Sequence, residues 1–217
     1  MRLRPFAALT ALLVFAITAS SCLFHPQRAL LKPPAATQAA PAIYQVVFTT
    51  TKGPFTIEVH REWSPNGADR FYYLARHGFY NGAAFFRVVP KFVVQWGLSA
   101  DPRISAAWAD RTIKDDPVVK SNTRGMVTFA MSGANTRTTQ VYINFRDNSR
   151  LDKLGFSPFG EVVAGMDVVD ALNGEYGEGA PRGKGPSQGR ITREGAAYLA
   201  KEFPRLDRIL STKVRNP

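Results

Sequence analysis

The feature that most constrains the fold is a series of short runs rich in β-branched and aromatic residues, separated by glycine, proline and asparagine. Runs of this kind, in which apolar and polar residues alternate, are typical of β-strands joined by turns. We predict eight strands, at 44–51, 55–60, 85–89, 92–96, 126–131, 140–145, 159–163 and 209–213.

Helical segments separate some of these strands. Apolar residues recur at helical spacing after Ser64, the predicted N-cap, and the helix is expected to end at Gly78. A short helix over 167–172 and a longer one over 193–203 follow. Many short strands with two substantial helices indicate a mainly β fold, a barrel whose ends are covered by helices. We expect residues 43–217 to form one domain.

The first 22 residues have the layout of a bacterial export signal. A basic start precedes an apolar stretch over 5–19, which is shorter than the ~20 residues that a spanning helix needs. Residues 19–22 read Ala-Ser-Ser-Cys and resemble the lipobox of bacterial lipoproteins, although Ala19 stands where leucine is usual. We therefore expect lipidation of Cys22, and the alternative is plain secretion with an incidental cysteine.

Residues 23–42 contain four prolines together with several alanines and glutamines. This composition favours extended backbone and predicts a tether, the alternative being a leader without a role. The protein is thus expected to be exported to the periplasm or cell envelope, and to contact the membrane through the lipid anchor only.

The formal net charge of +11 raises the question of a polyanionic partner. Basic residues are spread along the chain without a long run, and the glycine-rich loop 179–185 lacks the spacing of a phosphate-binding loop. We interpret this loop as a solvated turn and expect no nucleic acid among the partners. One cysteine and three histidines, none at metal-ligand spacing, predict neither a metal nor a cofactor.

The segment 85–95 places Arg87 and Gln95 among apolar residues of two consecutive strands. A charged side chain in an apolar strand is costly unless its donors are satisfied. Two interpretations follow from the residues alone. Arg87 either snorkels from a core hairpin to solvent or belongs to a ligand site together with Gln95.

Three segments resemble the signature regions of cyclophilin-type peptidyl-prolyl cis-trans isomerases, in the family's order. They read FFRVVPKFVVQ at 85–95, FAMSGANTRTTQVYIN at 129–144 and LDKLGFSPFG at 151–160. The resemblance covers 44–172 and implies a closed, eight-stranded antiparallel barrel capped by two helices. It also implies acceleration of X–Pro bond rotation in proteins, here assisting the folding of exported proteins. A proline-peptide-binding or chaperone module with little turnover is the alternative.

The resemblance also implies roles for individual residues. Arg87 matches the catalytic arginine and Gln95 the glutamine that orients it. The remaining matches wall the proline pocket or line the adjoining groove, and they are Phe92, Val93, Ala130, Met131, Gln140, Tyr142, Leu151 and Phe156. The expected partners are proline-containing polypeptides, bound by a monomer.

The sequence departs from the family's pattern at several positions. Phe86 replaces a common histidine, and Trp96 replaces the glycine that follows the glutamine. Arg150 stands where cyclosporin-sensitive members have tryptophan, and Phe156 lies near the position of a frequent histidine. These departures concern drug sensitivity and rate, whereas the catalytic arginine is present.

Overall fold

The computed structural model describes residues 29–215. Within them lie eight strands: β1 (Ile43–Thr50), β2 (Gly53–His60), β3 (Arg87–Val89), β4 (Val93–Trp96), β5 (Met126–Phe129), β6 (Val141–Asn144), β7 (Pro158–Ala164) and β8 (Ile209–Arg215). The helices are α1 (Pro65–Arg76), α2 (Pro102–Trp108), α3 (Met166–Asp170) and α4 (Gln188–Glu202), with 3₁₀ turns at Arg61–Trp63 and Ser149–Leu154. All eight predicted strands are present, with ends shifted by a few residues, and α2 was not predicted.

The strands form one antiparallel sheet in the order β3-β4-β6-β5-β7-β2-β1-β8, curled into a half-barrel. The prediction of a closed barrel is therefore correct only in part, because β3 and β8, the two edges of the sheet, do not pair with each other. β3 has three residues, and it is the chain just before it, at 82–85, that meets residues 207–209 around the start of β8. There the amide of Phe85 donates to the carbonyl of Asp207 at 3.0 Å and that of Ile209 to Ala83 at 2.9 Å.

The concave side of the sheet holds a core of aromatic side chains. Trp96, one of the departures from the family pattern, is fully buried there. Its indole ring meets Phe48 and Phe55 edge-on, at centroid distances of 5.7 and 6.5 Å. The next residue must be glycine, since Gly97 has φ +112° and a Cβ atom would lie 2.4 Å from the carbonyl oxygen of Thr139. The large indole is thus part of the aromatic core.

Helix α1 begins after Ser64 as predicted, but the Ser64 side chain does not cap it. The Ser64 hydroxyl instead donates to Asp116 at 2.6 Å. Asp116 accepts the backbone amides of Asn66 and Gly67 at 3.1 and 3.0 Å. The buried carboxylate of Asp116, which lies in a distant loop, therefore caps the helix, and its negative charge is favourable at the helix N-terminus.

Helix α4 begins at Gln188, five residues before the predicted start at 193, with Ser187 as its N-cap. It is interrupted at Gly195, whose φ is +61°. The amide of Ala196 donates to the carbonyl of Ala100 at 2.9 Å, so the break docks α4 on the segment before α2.

Part of the predicted tether packs on the domain. Leu30 is fully buried in the main core, and its carbonyl accepts a hydrogen bond from Trp108 Nε1 at 2.9 Å. The amide of Ala40 donates to Asp69 at 2.8 Å. Residues 29–42 therefore do not form a free tether. The export signal and Cys22 lie outside the described residues, and between 29 and 215 no helix is both long and apolar enough to cross a membrane.

Candidate active site

A cavity of about 420 Å³ opens on the face of the sheet that is turned away from the core. Its lining includes every residue assigned to the site from the sequence: Arg87, Phe92, Val93, Gln95, Ala130, Met131, Gln140, Tyr142, Leu151 and Phe156. The remaining lining residues were not predicted, and they are Ser132, Thr136, Thr138, Glu178, Arg182 and Gln188. The structure thus brings together residues that are spread over about half of the sequence.

Strand alternation explains why Arg87 and Gln95 face this cavity. In the β3–β4 hairpin Arg87 lies opposite Gln95, and Val88 lies opposite Val94. The two valines enter the core, so the side chains of Arg87 and Gln95 must emerge on the other face. Of the two interpretations left open by the sequence, snorkelling to solvent does not describe Arg87, because its guanidinium lines the cavity and is bonded to Gln95 and Glu178.

The guanidinium of Arg87 is held from two sides. Its Nη1 donates to Gln95 Oε1 at 3.0 Å, and Gln95 Nε2 in turn donates to Gln140 Oε1 at 2.8 Å. On the other side Nε and Nη2 donate to the two carboxylate oxygens of Glu178, at 2.6 and 2.7 Å. These hydrogen bonds from Arg87 hold the pKa of Glu178 below its ordinary value.

Glu178 is the main residue that the sequence analysis missed, because it precedes the glycine-rich loop interpreted as a solvated turn. That interpretation holds for Arg182 and Lys184, which are exposed, but Gly179 and Gly185 are buried. The sequence did contain a signal for a second partner. Burying an arginine among apolar side chains is costly unless its N–H groups find acceptors, and the side-chain oxygen of Gln95 accepts from only one of the five.

Beside the guanidinium lies an apolar cup. Val93, Tyr142 and Leu151 are buried at its base, and Phe92, Ala130 and Phe156 pack around them. Burial raises the pKa of Tyr142 well above its ordinary range, so its hydroxyl stays neutral and donates to Asn122 at 3.1 Å.

Two buried side chains hold the rim of the cup in place. The side-chain amide of Asn122 donates to the carbonyl of Phe156 at 2.8 Å and to Asp152 at 2.7 Å, which fixes the 3₁₀ turn carrying Leu151. The fully buried Arg137 donates to the carbonyl of Gly155 at 2.6 Å and lies 3.2 Å from Asp115. Neither was predicted from the sequence, because their partners are distant along the chain.

The ring of Phe92 is close to two cations. The Cζ atoms of Arg87 and Arg150 are 5.5 and 5.1 Å from its centroid. The Phe92 carbonyl accepts from Asn148 Nδ2 at 3.0 Å, which fixes this residue at the edge of the cup. Arg150 is exposed and lies outside the cavity lining. The arrangement as a whole offers a fixed hydrogen-bond donor beside an apolar surface.

The sequence model of a family described as cyclophilin type peptidyl-prolyl cis-trans isomerase/CLD matches residues 45–193. Among similar proteins, peptidyl-prolyl cis-trans isomerase-like 1 of Aspergillus fumigatus is 34% identical over 133 residues, which cover 58% of this chain and 80% of that protein. Peptidyl-prolyl cis-trans isomerase A of Dickeya dadantii is 33% identical over 148 residues, covering 62% of this chain and 74% of that protein.

Solved structures resemble the fold. A cyclophilin type peptidyl-prolyl cis-trans isomerase of Cryptosporidium parvum superposes with a TM-score of 0.59 at 17% identity, covering 81% of this chain and 99% of that one. The same protein in the presence of the dipeptide Ala-Pro gives a TM-score of 0.58, with coverage of 80% and 99%. At this level of identity the likeness concerns the architecture.

Proposed function

This chain belongs to the cyclophilin-type peptidyl-prolyl cis-trans isomerases, and we propose that it acts through the cavity around Arg87 on proline-containing segments of exported proteins. The isomerase activity itself follows from membership of the family. The observation that supports this cavity as the site is the fixed guanidinium of Arg87 beside the apolar cup.

The barrier to be lowered is rotation about the prolyl amide. Conjugation of the nitrogen lone pair with the carbonyl gives a barrier of ~18–20 kcal/mol, so uncatalysed exchange takes tens to hundreds of seconds. No bond is made or broken. The reaction therefore needs no nucleophile and no titrating base, only a surface that binds the twisted amide more tightly than the planar one.

Arg87 is proposed to supply the polar part of that surface. In the twisted amide the nitrogen has lost conjugation and becomes a hydrogen-bond acceptor. A guanidinium N–H aimed at that nitrogen stabilises the twisted form and has little to bind in the planar form. Lysine would be a poor substitute, because its ammonium group lacks the planar fork that Gln95 and Glu178 hold in one orientation.

The cup is proposed to hold the proline ring. The twisted amide is less polar than the planar one, so a dry surface of Val93, Tyr142 and Leu151 favours it over water. Ala130, Met131 and Gln140 border the groove in which the neighbouring peptide would lie. Together the two effects need to lower the barrier by about 7 kcal/mol to give about 10⁵-fold acceleration.

The test is a prolyl-exchange assay on the purified protein. We expect Arg87→Ala to lower turnover at least about tenfold, roughly 1.4 kcal/mol, while the circular dichroism stays that of the folded domain. Arg150→Ala is the matched control, since it removes a second cation from the same Phe92 ring outside the cavity lining. Unchanged catalysis in folded Arg87→Ala would overturn the site assignment. Binding of proline peptides without any acceleration would favour the binding-module alternative.

We also propose that the protein is lipid-anchored at Cys22 in the cell envelope. The support comes from the sequence alone: a basic start, an apolar stretch of 15 residues, small residues and the single cysteine. Mass spectrometry of the mature amino terminus tests this, with acyl groups on Cys22 as the expected result. An unmodified terminus at another residue would refute lipidation and leave ordinary secretion.

A further inference from the structure

The contact between Glu178 and Arg87 is additional to the arginine–glutamine pair that the resemblance assigns to the isomerase reaction. Both oxygens of Glu178 accept from the same edge of the guanidinium, through Nε at 2.6 Å and Nη2 at 2.7 Å. The two side chains are 17% and 35% exposed, so this pair is shielded from solvent more than an ordinary surface ion pair. A bidentate contact of this kind fixes the plane of the guanidinium as well as its position.

The geometry leaves donors for a ligand. A guanidinium has five N–H bonds. Glu178 takes two of them and Gln95 takes a third, on Nη1. Among residues 29–215, one N–H on each terminal nitrogen therefore has no protein partner. Glu178 occupies the edge that includes Nε and leaves the terminal nitrogens able to donate into the cavity.

The loop around Glu178 is built to hold this residue in place. The amide of Gly185 donates to the Glu178 carbonyl at 2.8 Å, and that of Gly179 donates to Glu178 Oε1 at 3.0 Å. A Cβ atom on Gly183 or Gly185 would lie 2.3 or 2.8 Å from the Glu178 carbonyl oxygen, so the loop closes around this carbonyl only with glycine there.

The base of the same loop is anchored away from the cavity. The Tyr176 ring packs edge-on against Phe203, with ring centroids 5.0 Å apart. The amide of Ser187 donates to the Tyr198 hydroxyl at 3.1 Å. The carboxylate thus stands on a loop fixed at both ends to the residues around α4.

From these contacts we propose that Glu178 is a positioning residue for the isomerase reaction, orienting Arg87 from the edge opposite the substrate. The inference rests on the proposed role of Arg87. Arginine has many rotamers, and Gln95 restrains only one terminal nitrogen. Removal of Glu178 leaves the guanidinium free to turn about that one hydrogen bond, so its donors leave the position where the amide nitrogen twists.

A carboxylate could instead weaken catalysis, because its charge offsets that of the guanidinium. The two roles predict opposite changes in rate. A masking carboxylate gives higher activity when it is removed, whereas a positioning carboxylate gives lower activity. The near-isosteric Glu178→Gln separates them, since it keeps the size of the side chain and loses the second acceptor and the charge.

The experiment measures kcat/KM for prolyl exchange in Glu178→Gln, Glu178→Ala and the control Glu175→Gln. Glu175 lies three residues away and pairs with Arg205 at the surface. We expect both Glu178 variants to lose about tenfold or more, because a misplacement of ~1 Å can cost about 100-fold, and the control to match wild type. In the Arg87→Ala background, Glu178→Ala should cause no further loss.

Nitrogen-15 NMR of the arginine side chains tests directly whether Glu178 orients Arg87. If Glu178 only stabilised its own loop, the signal of the Arg87 side chain would not change when Glu178 is replaced. The Arg87 Nε–H signal, assigned by its absence in Arg87→Ala, should exchange slowly with water in wild type and Glu175→Gln and rapidly in both Glu178 variants. Unchanged or increased kcat/KM in folded Glu178→Gln overturns the proposal. A further loss in the Arg87→Ala background also overturns it. Full activity of Arg87→Ala would instead refute the proposed function, while the NMR comparison would still report whether Glu178 holds the Arg87 guanidinium in place.

Discussion

We expect Leu30 to contribute strongly to stability, although it lies in a proline-rich segment ahead of the first strand. Its side chain is fully buried in the main core, and its carbonyl accepts from Trp108 Nε1 at 2.9 Å. Leucine-to-alanine changes at buried sites cost about 2–5 kcal/mol. Because the segment before β1 is outside the sheet and can partly close the cavity, we expect Leu30→Ala to cost ~2–3 kcal/mol. For a protein of this size that lowers Tm by roughly 4–12 °C.

The matched control is the next residue, Leu31, which is 39% exposed. Urea unfolding is followed by circular dichroism and by tryptophan fluorescence, since Trp108 is only 2% exposed and reports undocking of the segment. We expect Leu30→Ala to unfold at a lower urea concentration than wild type, with an unchanged dependence of the free energy of unfolding on urea. The free energy of unfolding of Leu31→Ala should stay within ~0.5 kcal/mol of wild type. If both variants unfold at the wild-type midpoint, residues 29–42 are not docked as described and the reasoning fails.

Three further predictions concern other parts of the chain. Asp116→Ala should lower stability by about 2 kcal/mol or more in urea unfolding, because it leaves the buried Ser64 hydroxyl and two amides of α1 without an acceptor; wild-type stability would show that water replaces the cap. The pKa of Glu178 is held below its ordinary value, so its pairing with Arg87 stabilises the fold above the unfolded pKa near ~4.3 and is lost as the pH falls through the lower folded pKa. Thermal melts of wild type and Glu178→Gln should therefore differ at pH 6 and converge toward pH 3, and a constant difference would contradict this. Cyclosporin should bind weakly by titration calorimetry, since Arg150 stands in place of the indole donor of sensitive relatives; nanomolar affinity would count against that view.

The sequence was informative wherever a feature depends on near neighbours. Arg87 and Gln95 were predicted to lie in two consecutive strands, which do pair with these residues opposite each other, and glycine and proline marked the turns. The resemblance then grouped ten residues that the structure gathers around one cavity. Pattern and resemblance together thus predicted the strands and most of the residues that line the cavity.

The features that were missed depend on contacts between residues far apart in the chain. Asp116 reaches Ser64 over 52 positions, and Glu178 reaches Arg87 over 91. No local period encodes either pairing. Leu30 was misjudged for a related reason. Prolines around it suggested extended backbone, whereas its buried side chain and the hydrogen bonds of Leu30 and Ala40 dock the segment on distant parts of the domain.

The open edge of the half-barrel has a consequence for how the site is kept rigid. Arg87 stands on β3, a three-residue strand that pairs on one side only, with β4. Parts of a fold with few contacts open most easily in hydrogen exchange, and a short strand paired on one side has few backbone hydrogen bonds to hold it. Here Phe86, beside Arg87, packs with Tyr198, Leu199 and Leu206 behind the strand. We expect this packing, by residues outside the cavity lining, to stiffen the edge that carries Arg87, so that substitutions among them change the rate of prolyl exchange while the lining stays the same.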